Sequence, residues 1–303
     1  MKERHSRLSL GRLCRLFGIT RQAYYQHYWQ AEETSFEQEL VLSEVRRIRQ
    51  NHSRMGGRKL YELIEPFMLE HQIKMGRDAL FDLLAAHKLL VRRRKRKVYT
   101  TNSFHWLRKY PNRIRDLIPS RSNQLWVSDI TYWKIETANL YISFISDAYS
   151  HKIVGYQVAE TLEAIESICA LEMALSSLDQ PAEGLIHHSD RGIQYCSSGY
   201  VNLLQDYGIE ISMTENGDPL ENAIAERVNG ILKGEYLECY TVKNLSQAKE
   251  LLKQVVHLYN EERPHMSIGY LKPNQLHENN QVTEKLWRTY YPKKCTIVNQ
   301  PQD

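Results

Sequence analysis

At residue 122 the hydrophobic pattern of this chain changes period, and that change limits the possible folds more than any other feature. Before it, apolar residues recur every three to four positions, as in Leu13, Leu16 and Phe17 or Leu60, Leu63, Ile64, Phe67 and Met68. That is the spacing of helices that bury one stripe. Beyond it, segments 125–133, 140–146 and 152–159 are rich in β-branched and aromatic residues and separated by short polar turns. They predict three successive antiparallel strands. A helix at 164–178, a strand at 185–188, a helix at 199–207, a strand at 209–213 and a helix starting near Pro219 complete the pattern. An α/β domain preceded by all-helical segments is expected, and 303 residues leave room for two or three domains.

Within the helical part, Gly18 can end one helix and Thr20 can cap the next. Two short helices around that turn suit a helix-turn-helix presenting Arg21, Gln22 and Tyr24 outward, although a helical hairpin that only packs fits the same pattern. Residues 36–50, with Phe36, Leu40, Val41, Val45 and Ile48, predict a separate amphipathic helix. After Gly56 and Gly57 comes a second helical pair, in which Pro66 should kink or shorten the first member and Gly76 precedes Leu80, Leu83 and Leu84. The expected divisions are a helical segment at 1–52, a helix-turn-helix-like domain at 53–98, a linker at 99–121, the α/β domain at 122–280 and a tail at 281–303.

Charge is split between the halves. Residues 1–115 hold 25 Lys and Arg against 11 Asp and Glu, and the remainder holds 15 against 25. A basic half would hold a polyanion such as DNA while an acidic half concentrates divalent cations, although asymmetry can also simply solubilise two domains. The strongest local signal is the run Arg92, Arg93, Arg94, Lys95, Arg96 and Lys97, followed by Tyr99, Phe104, Trp106, Arg108, Lys109, Tyr110, Arg113 and Arg115. Cations interleaved with aromatics neutralise phosphates and stack on bases, on a backbone expected to stay extended or loosely ordered until bound. Five cysteines without a C-x-x-C pair fit a reducing cytoplasm, and no run of 18 apolar residues marks a membrane span.

Three acids carry the chemistry. Asp129, Asp190 and Glu226 are separated by 60 and 35 intervening residues. Asp129 shares a strand face with Val127 and Thr131, where an unpaired carboxylate is costly to bury. Asp190 falls at a strand end with Gly192 two residues on, and Glu226 lies in a helical segment with Lys233 two turns further along the same face. Taken singly, each has an ordinary reading: a salt bridge, a turn aspartate, a solvated helical pair. Together, three carboxylates are what two divalent cations about 3.5–4 Å apart require for phosphoryl transfer. The adjacent His187 and His188 invite zinc, but neighbouring strand residues point to opposite faces and no Cys or His partner is suitably spaced.

The three segments jointly resemble the D-D-35-E catalytic core of retroviral integrases and, more closely, the second-reading-frame (OrfB) transposases of bacterial insertion sequences. The matching text is the strand Trp126–Trp133 with Asp129, Ile130, Thr131 and Tyr132, the His188–Tyr195 stretch, Asn222 and Ala223 with Glu226, Leu232 and Lys233, and the segment 259–265. Departures are Ser128 where Thr is frequent, Glu221 where Asp is usual, and Gly56-Gly57-Arg58-Lys59 in place of a Tyr-Gly-x-Arg-Arg text.

The resemblance implies a ribonuclease H-like α/β core, a mixed five-stranded sheet flanked by helices, and a DNA-binding helix-turn-helix over 58–90 that includes Arg58 and Lys59. It implies a transposase that cleaves and joins DNA with two Mg²⁺ ions, Mn²⁺ being able to substitute. Asp129, Asp190 and Glu226 would be the metal ligands, Lys233 a phosphate contact, and Asn222 a support. Terminal inverted repeats and target DNA, a homo-oligomer, a first-reading-frame partner or fusion, and a cytoplasmic, nucleoid-associated location in a bacterium are expected with it. A catalytically lapsed, DNA-binding regulator and a nuclease for RNA–DNA hybrids are the rival readings.

Overall fold

The computed structural model describes residues 9–91, 106–115, 117–178, 183–215 and 222–279, without the side chains of 27, 28 and 30–35. The run from Arg92 to Lys97, Glu221 and the tail from 281 on lie outside the described residues. The chain forms two compact units, Met1–Arg92 and Arg93–Asp303.

In the first unit, α1 (Leu10–Leu16) ends at Gly18, whose φ of 66° is the left-handed conformation that glycine adopts freely. Thr20 then caps α2 by accepting a hydrogen bond from the Ala23 amide at 3.0 Å. The expected break between two helices is absent: α2 runs unbroken from Arg21 to Asn51, 31 residues. Nothing in that stretch is Gly or Pro, so no residue stops the helix once Thr20 has started it. Its C-terminal half packs Val41, Leu42, Val45 and Ile48 in one core with Leu60, Ile64 and Met68 of α3 (Gly57–Glu70) and Leu80 and Leu84 of α4 (Arg77–Ala86). A single core thus straddles residue 52. Pro66 neither ends nor shortens α3; it sits on the exposed face, where the carbonyl deprived of a donor can turn to water. At Gly57 a Cβ would come within 2.8 Å of the Phe81 ring, so the absence of a side chain lets α3 and α4 approach.

The second unit is built on β1 (Leu125–Lys134), β2 (Asn139–Asp147), β3 (Ile153–Ala159), β4 (Ile186–Ser189) and β5 (Glu210–Met213), in the order β3-β2-β1-β4-β5. The first three pair antiparallel, while β4 runs parallel to both β1 and β5. Alternation along the strands feeds two cores. Ile142 and Phe144 of β2 face Val228 and Ile231 of α7 (Ala223–Ile231) and Leu252, Val255 and Tyr259 of α8 (Leu245–Glu261). On the other side, Trp126, Ile145 and Val154 meet Ala170, Leu171 and Ala174 of α5 (Ala164–Ser176) and Tyr200 and Leu204 of α6 (Ser198–Asp206). α5 presses on β3 at Gly155, where a Cβ would lie 2.1 Å from the Ala170 carbonyl oxygen. This is the ribonuclease H-like α/β arrangement that the resemblance implies. A last helix, α9 (Pro273–Asn279), is tied down by Ser122, which donates to the His277 carbonyl at 3.0 Å.

The described part of the expected linker is not loose. Leu107 and Tyr110 pack against one core and Ile114 and Leu117 against another. Beside β5, the Met213 amide donates to the Pro111 carbonyl and the Arg113 amide donates to Ser212 Oγ. Apolar residues at three- and four-residue intervals between the cations supply that anchoring.

Candidate active site

Asp129 lies in mid-β1 opposite Phe144, on the strand face that α7 covers. Two donors orient its carboxylate: Asn229 Nδ2 donates to Oδ2 at 2.6 Å and the Ile130 amide to Oδ1 at 2.9 Å. Burial is the main cause that pushes this carboxyl up to about 7, the Asp190 carboxylate adds to it, the two hydrogen bonds oppose it, and Glu226 adds a smaller push.

Asp190 follows β4 directly. The parallel register pairs Val127 with His188, and carrying it two residues on sets Asp190 abreast of Asp129. Asp190 Oδ1 accepts the Gly192 amide at 2.9 Å, a turn in which the aspartate closes on its own backbone. A Cβ on Gly192 would lie 3.0 Å from that oxygen, so the glycine keeps the carboxylate's surroundings open.

Glu226 is exposed in the first turn of α7. It belongs to a polar stripe, Asn222, Glu226, Asn229 and Lys233, at intervals of four, three and four residues, which places all of them on one helical face. That face meets β1 at successive points. Asn222 Nδ2 donates to the Ser128 carbonyl at 2.9 Å, Asn229 holds Asp129, and Lys233 Nζ reaches Thr131 Oγ1 at 3.3 Å. Burial lowers the Lys233 pKa, against the opposing pull of Asp129. Asn222 therefore meets the β1 backbone beside Asp129 and not a carboxylate. The direct carboxylate contact comes from Asn229, which sequence reasoning missed; its signal was its place three residues after Glu226.

His187 and His188 do point to different partners. His187 Nε2 lies 2.6 Å from Ser128 Oγ and 2.9 Å from Tyr200 OH, wholly buried, and burial with a push from His188 lowers its pKa to about 3. His188 Nδ1 lies 2.9 Å from Ser212 Oγ. Both stitch the sheet together. Ser128, the departure from Thr, keeps the hydroxyl that this contact uses. Arg58 and Lys59 stand at the start of α3 in the first unit, Arg58 exposed and Lys59 partly buried.

A divalent cation fits the donor set: three carboxylates offer only hard oxygen ligands, and Asp129 is an anion beside anions without a neutralising cation strong enough to restore its ordinary pKa. Among the described residues no group of three or more Asp, Glu, His or Cys side chains stands close enough together to hold a metal ion. Both observations hold, because charge coupling reaches further than a ligand bond of about 2.0–2.6 Å.

Residues 119–219 and 207–273 each match a family model described as an integrase core domain. The chain is 34% identical over 271 residues to the 31 kDa protein of insertion element IS600 of Shigella sonnei, spanning 88% of this chain and 97% of that protein. It is 29% identical to the transposase of insertion element IS629 of the same organism, over 87% of this chain and 90% of that protein. Among solved structures it is similar to the HTLV-2 integrase catalytic core domain in complex with magnesium, at 19% identity and a TM-score of 0.41, covering 52% of this chain and 97% of that one. The sheet and the matched domain define a protein with an integrase core. Within that class, the chain belongs to the insertion-sequence transposases.

Proposed function

We propose that Asp129, Asp190 and Glu226 form the metal-binding catalytic centre of a transposase that cuts and joins DNA at the terminal inverted repeats of its element. The observation that carries this reading is the convergence of β1, the end of β4 and the polar face of α7 around one carboxylate whose charge is left unneutralised. Two Mg²⁺ ions, or Mn²⁺ in their place, would supply activation of the attacking oxygen and stabilisation of the leaving oxygen of a phosphodiester.

Asp129 is held by Asn229 and the Ile130 amide, and its carboxylate feels the charges of Asp190 and Glu226. Asp190 is fixed by its turn through Gly192. Lys233, partly buried beside them, places a cation where a DNA phosphate arrives. Water is the nucleophile for cleavage and a DNA 3′-hydroxyl for joining, so no covalent protein–DNA link is required.

DNA is held, in this reading, by Arg92, Arg93, Arg94, Lys95, Arg96 and Lys97 and by the helical unit with Arg58 and Lys59. Replacing Arg92, Arg93 and Arg94 with Ala should weaken binding and reduce the salt slope by about 3, close to one per lost phosphate contact. Joining two ends requires at least a dimer, with a first-reading-frame protein as partner or fusion, in the bacterial cytoplasm at the nucleoid. Among the described residues, no helix is long and apolar enough to cross a membrane.

Nicking of a labelled terminal-repeat duplex tests the whole. Cleavage that needs Mg²⁺ or Mn²⁺ is expected, and tight binding without cleavage at any metal concentration would reject the catalytic reading.

A further inference from the structure

The helix that carries the polar stripe does not end as an α-helix. After Ile231 the backbone widens into a π-helical turn, Leu232–Tyr236, followed by a 3-10 turn, Leu237–Cys239. A π turn is a rare and strained local choice that persists where its surroundings hold it. Lys233 and Glu235 both lie in it, and residues two apart on a helix face roughly opposite ways. Lys233 reaches towards Thr131 on β1. Glu235 faces the other way and is gripped.

The grip is Arg263. Its Nε donates to Glu235 Oε2 at 2.8 Å and its Nη2 to Oε1 at 2.8 Å, the two-pronged geometry that only a guanidinium offers. Arg263 is 1% exposed, its Nη1 lies 2.8 Å from His265 Nε2, and the Tyr259 ring sits 5.7 Å from its guanidinium carbon. Its own position is fixed in turn. The Arg263 amide donates to the Leu258 carbonyl, and the Asn260 side chain makes two 3.0 Å hydrogen bonds to the Ile153 amide and carbonyl on β3. A rigid path therefore runs from the sheet edge through Asn260 and Arg263 to the π turn.

We infer that Arg263 is a positioning residue for Lys233: by clamping Glu235 to the sheet it sets the rotation of the π turn, and so aims the Lys233 ammonium at the site on β1. The inference rests on the proposed role of Lys233 at a DNA phosphate. It also explains the segment 259–265, in which Tyr259 and Asn260 anchor, Arg263 braces, and His265 accepts from a third donor of the brace.

The experiment is a double-mutant cycle on the full-length chain, reading strand joining at saturating precut terminal-repeat duplex together with duplex affinity and thermal unfolding. Arg263→Lys keeps a charge beside Glu235 but loses the fork. It should lower the joining rate roughly 10- to 100-fold, as a displacement near 1 Å can, while affinity for the duplex stays within about threefold. In a Lys233→Ala background, Arg263→Lys should cost no more than about twofold further, because the group it aims is gone. Glu235→Gln, which leaves the turn its shape and one acceptor, should reproduce the same pattern.

A full additional loss in the Lys233→Ala background would show that Arg263 acts elsewhere and overturn the inference, as would an unimpaired rate in both single brace variants. Lys233→Ala with full joining, alongside an inactive Asp129→Ala, would overturn it too and remove Lys233 from the site while sparing the three acids. Loss of all activity irrespective of Mg²⁺ in the unmodified chain would instead count against the catalytic reading itself.

Discussion

Two charged clusters lie on the same side of the sheet and treat charge in opposite ways. At Arg263 and Glu235, burial disfavours the guanidinium, yet Glu235 more than offsets this and holds Arg263 above its ordinary pKa. The contacts there are complementary, cation to anion or donor to acceptor. At Asp129 the neighbours are two further acids, and the hydrogen bonds that orient it come from a neutral side-chain amide and a backbone N–H. One cluster is closed by its own ion pair; at the other the attraction between Lys233 and Asp129 does not offset the burial and the acids that raise the Asp129 carboxyl. A protein tolerates the second arrangement at a cost in stability, and such conflicts concentrate where function sets the requirement.

The largest effects should come from removing that anionic centre. Asp129→Ala, Asp190→Ala and Glu226→Ala should each lower cleavage and joining by roughly 10²-fold or more, on the scale of losing one preorganised charge-stabilising group. Affinity for a terminal-repeat duplex, measured by gel shift, should change little. Retained turnover in any one variant would take that residue out of the site and narrow the contrast between the clusters.

Next in size is the closed cluster. Arg263→Ala leaves Glu235 without its fork partner and should destabilise the second unit by about 3 kcal/mol, the cost of breaking a buried pair from one side. Glu235 is 20% exposed, which puts the expectation at the low end of that range. Denaturant unfolding of the full chain reads it. Replacing both partners, Arg263→Met with Glu235→Leu, should recover most of the loss; equal destabilisation by the double variant would mean that the pair does more than neutralise itself.

The opposite sign is expected at Asp129. A carboxyl raised to about 7 from a usual value near 3.8 is ionised in the fold only at a cost, so this group's contribution to stability falls as pH rises through about 7. Without divalent cations, Asp129→Asn should therefore stabilise the chain at pH 8 by about 1 kcal/mol, with activity lost. Its advantage should shrink as pH is lowered from 8 towards 5, where the native carboxyl is already protonated. A variant less stable than the parent at pH 8 would mean that Asn229 and the Ile130 amide satisfy the anion fully.

Much of this contrast was readable in the sequence, though unevenly. The alternation of Trp126, Val127, Ser128 and Asp129 and the β-branched segments after it determined the strands to within one or two residues, because strand faces follow a strict period of two. The acids were legible as a spacing, and the parallel register of β1 and β4 explains why 60 intervening residues bring two of them abreast.

Asn229 escaped because an asparagine inside a helix has many ordinary readings, and only packing against β1 shows which it has. The π turn escaped for a different reason. Nothing in Leu232, Lys233, Gly234, Glu235 and Tyr236 demands a wider turn, and the contact that grips it comes from Arg263, 28 residues after Glu235. The unbroken α2 was misjudged through an expected division that no Gly or Pro enforces.

An effect of similar size joins the clusters to the cation. Mg²⁺ that binds the folded site and not the unfolded chain should raise stability by about 1.4 kcal/mol at a tenfold excess over its dissociation constant. The gain should grow from pH 6 to pH 8, since at the lower pH a proton competes for Asp129, whose carboxyl titrates near 7. Asp129→Asn should lose most of this response, whereas Glu235→Gln, altering a cluster that already holds its own cation, should keep it. Thermal unfolding of the three proteins with and without Mg²⁺ separates the cases without any DNA. A response equal in all three would place the ion elsewhere on the acidic half, and the unneutralised charge at Asp129 would then need some other partner.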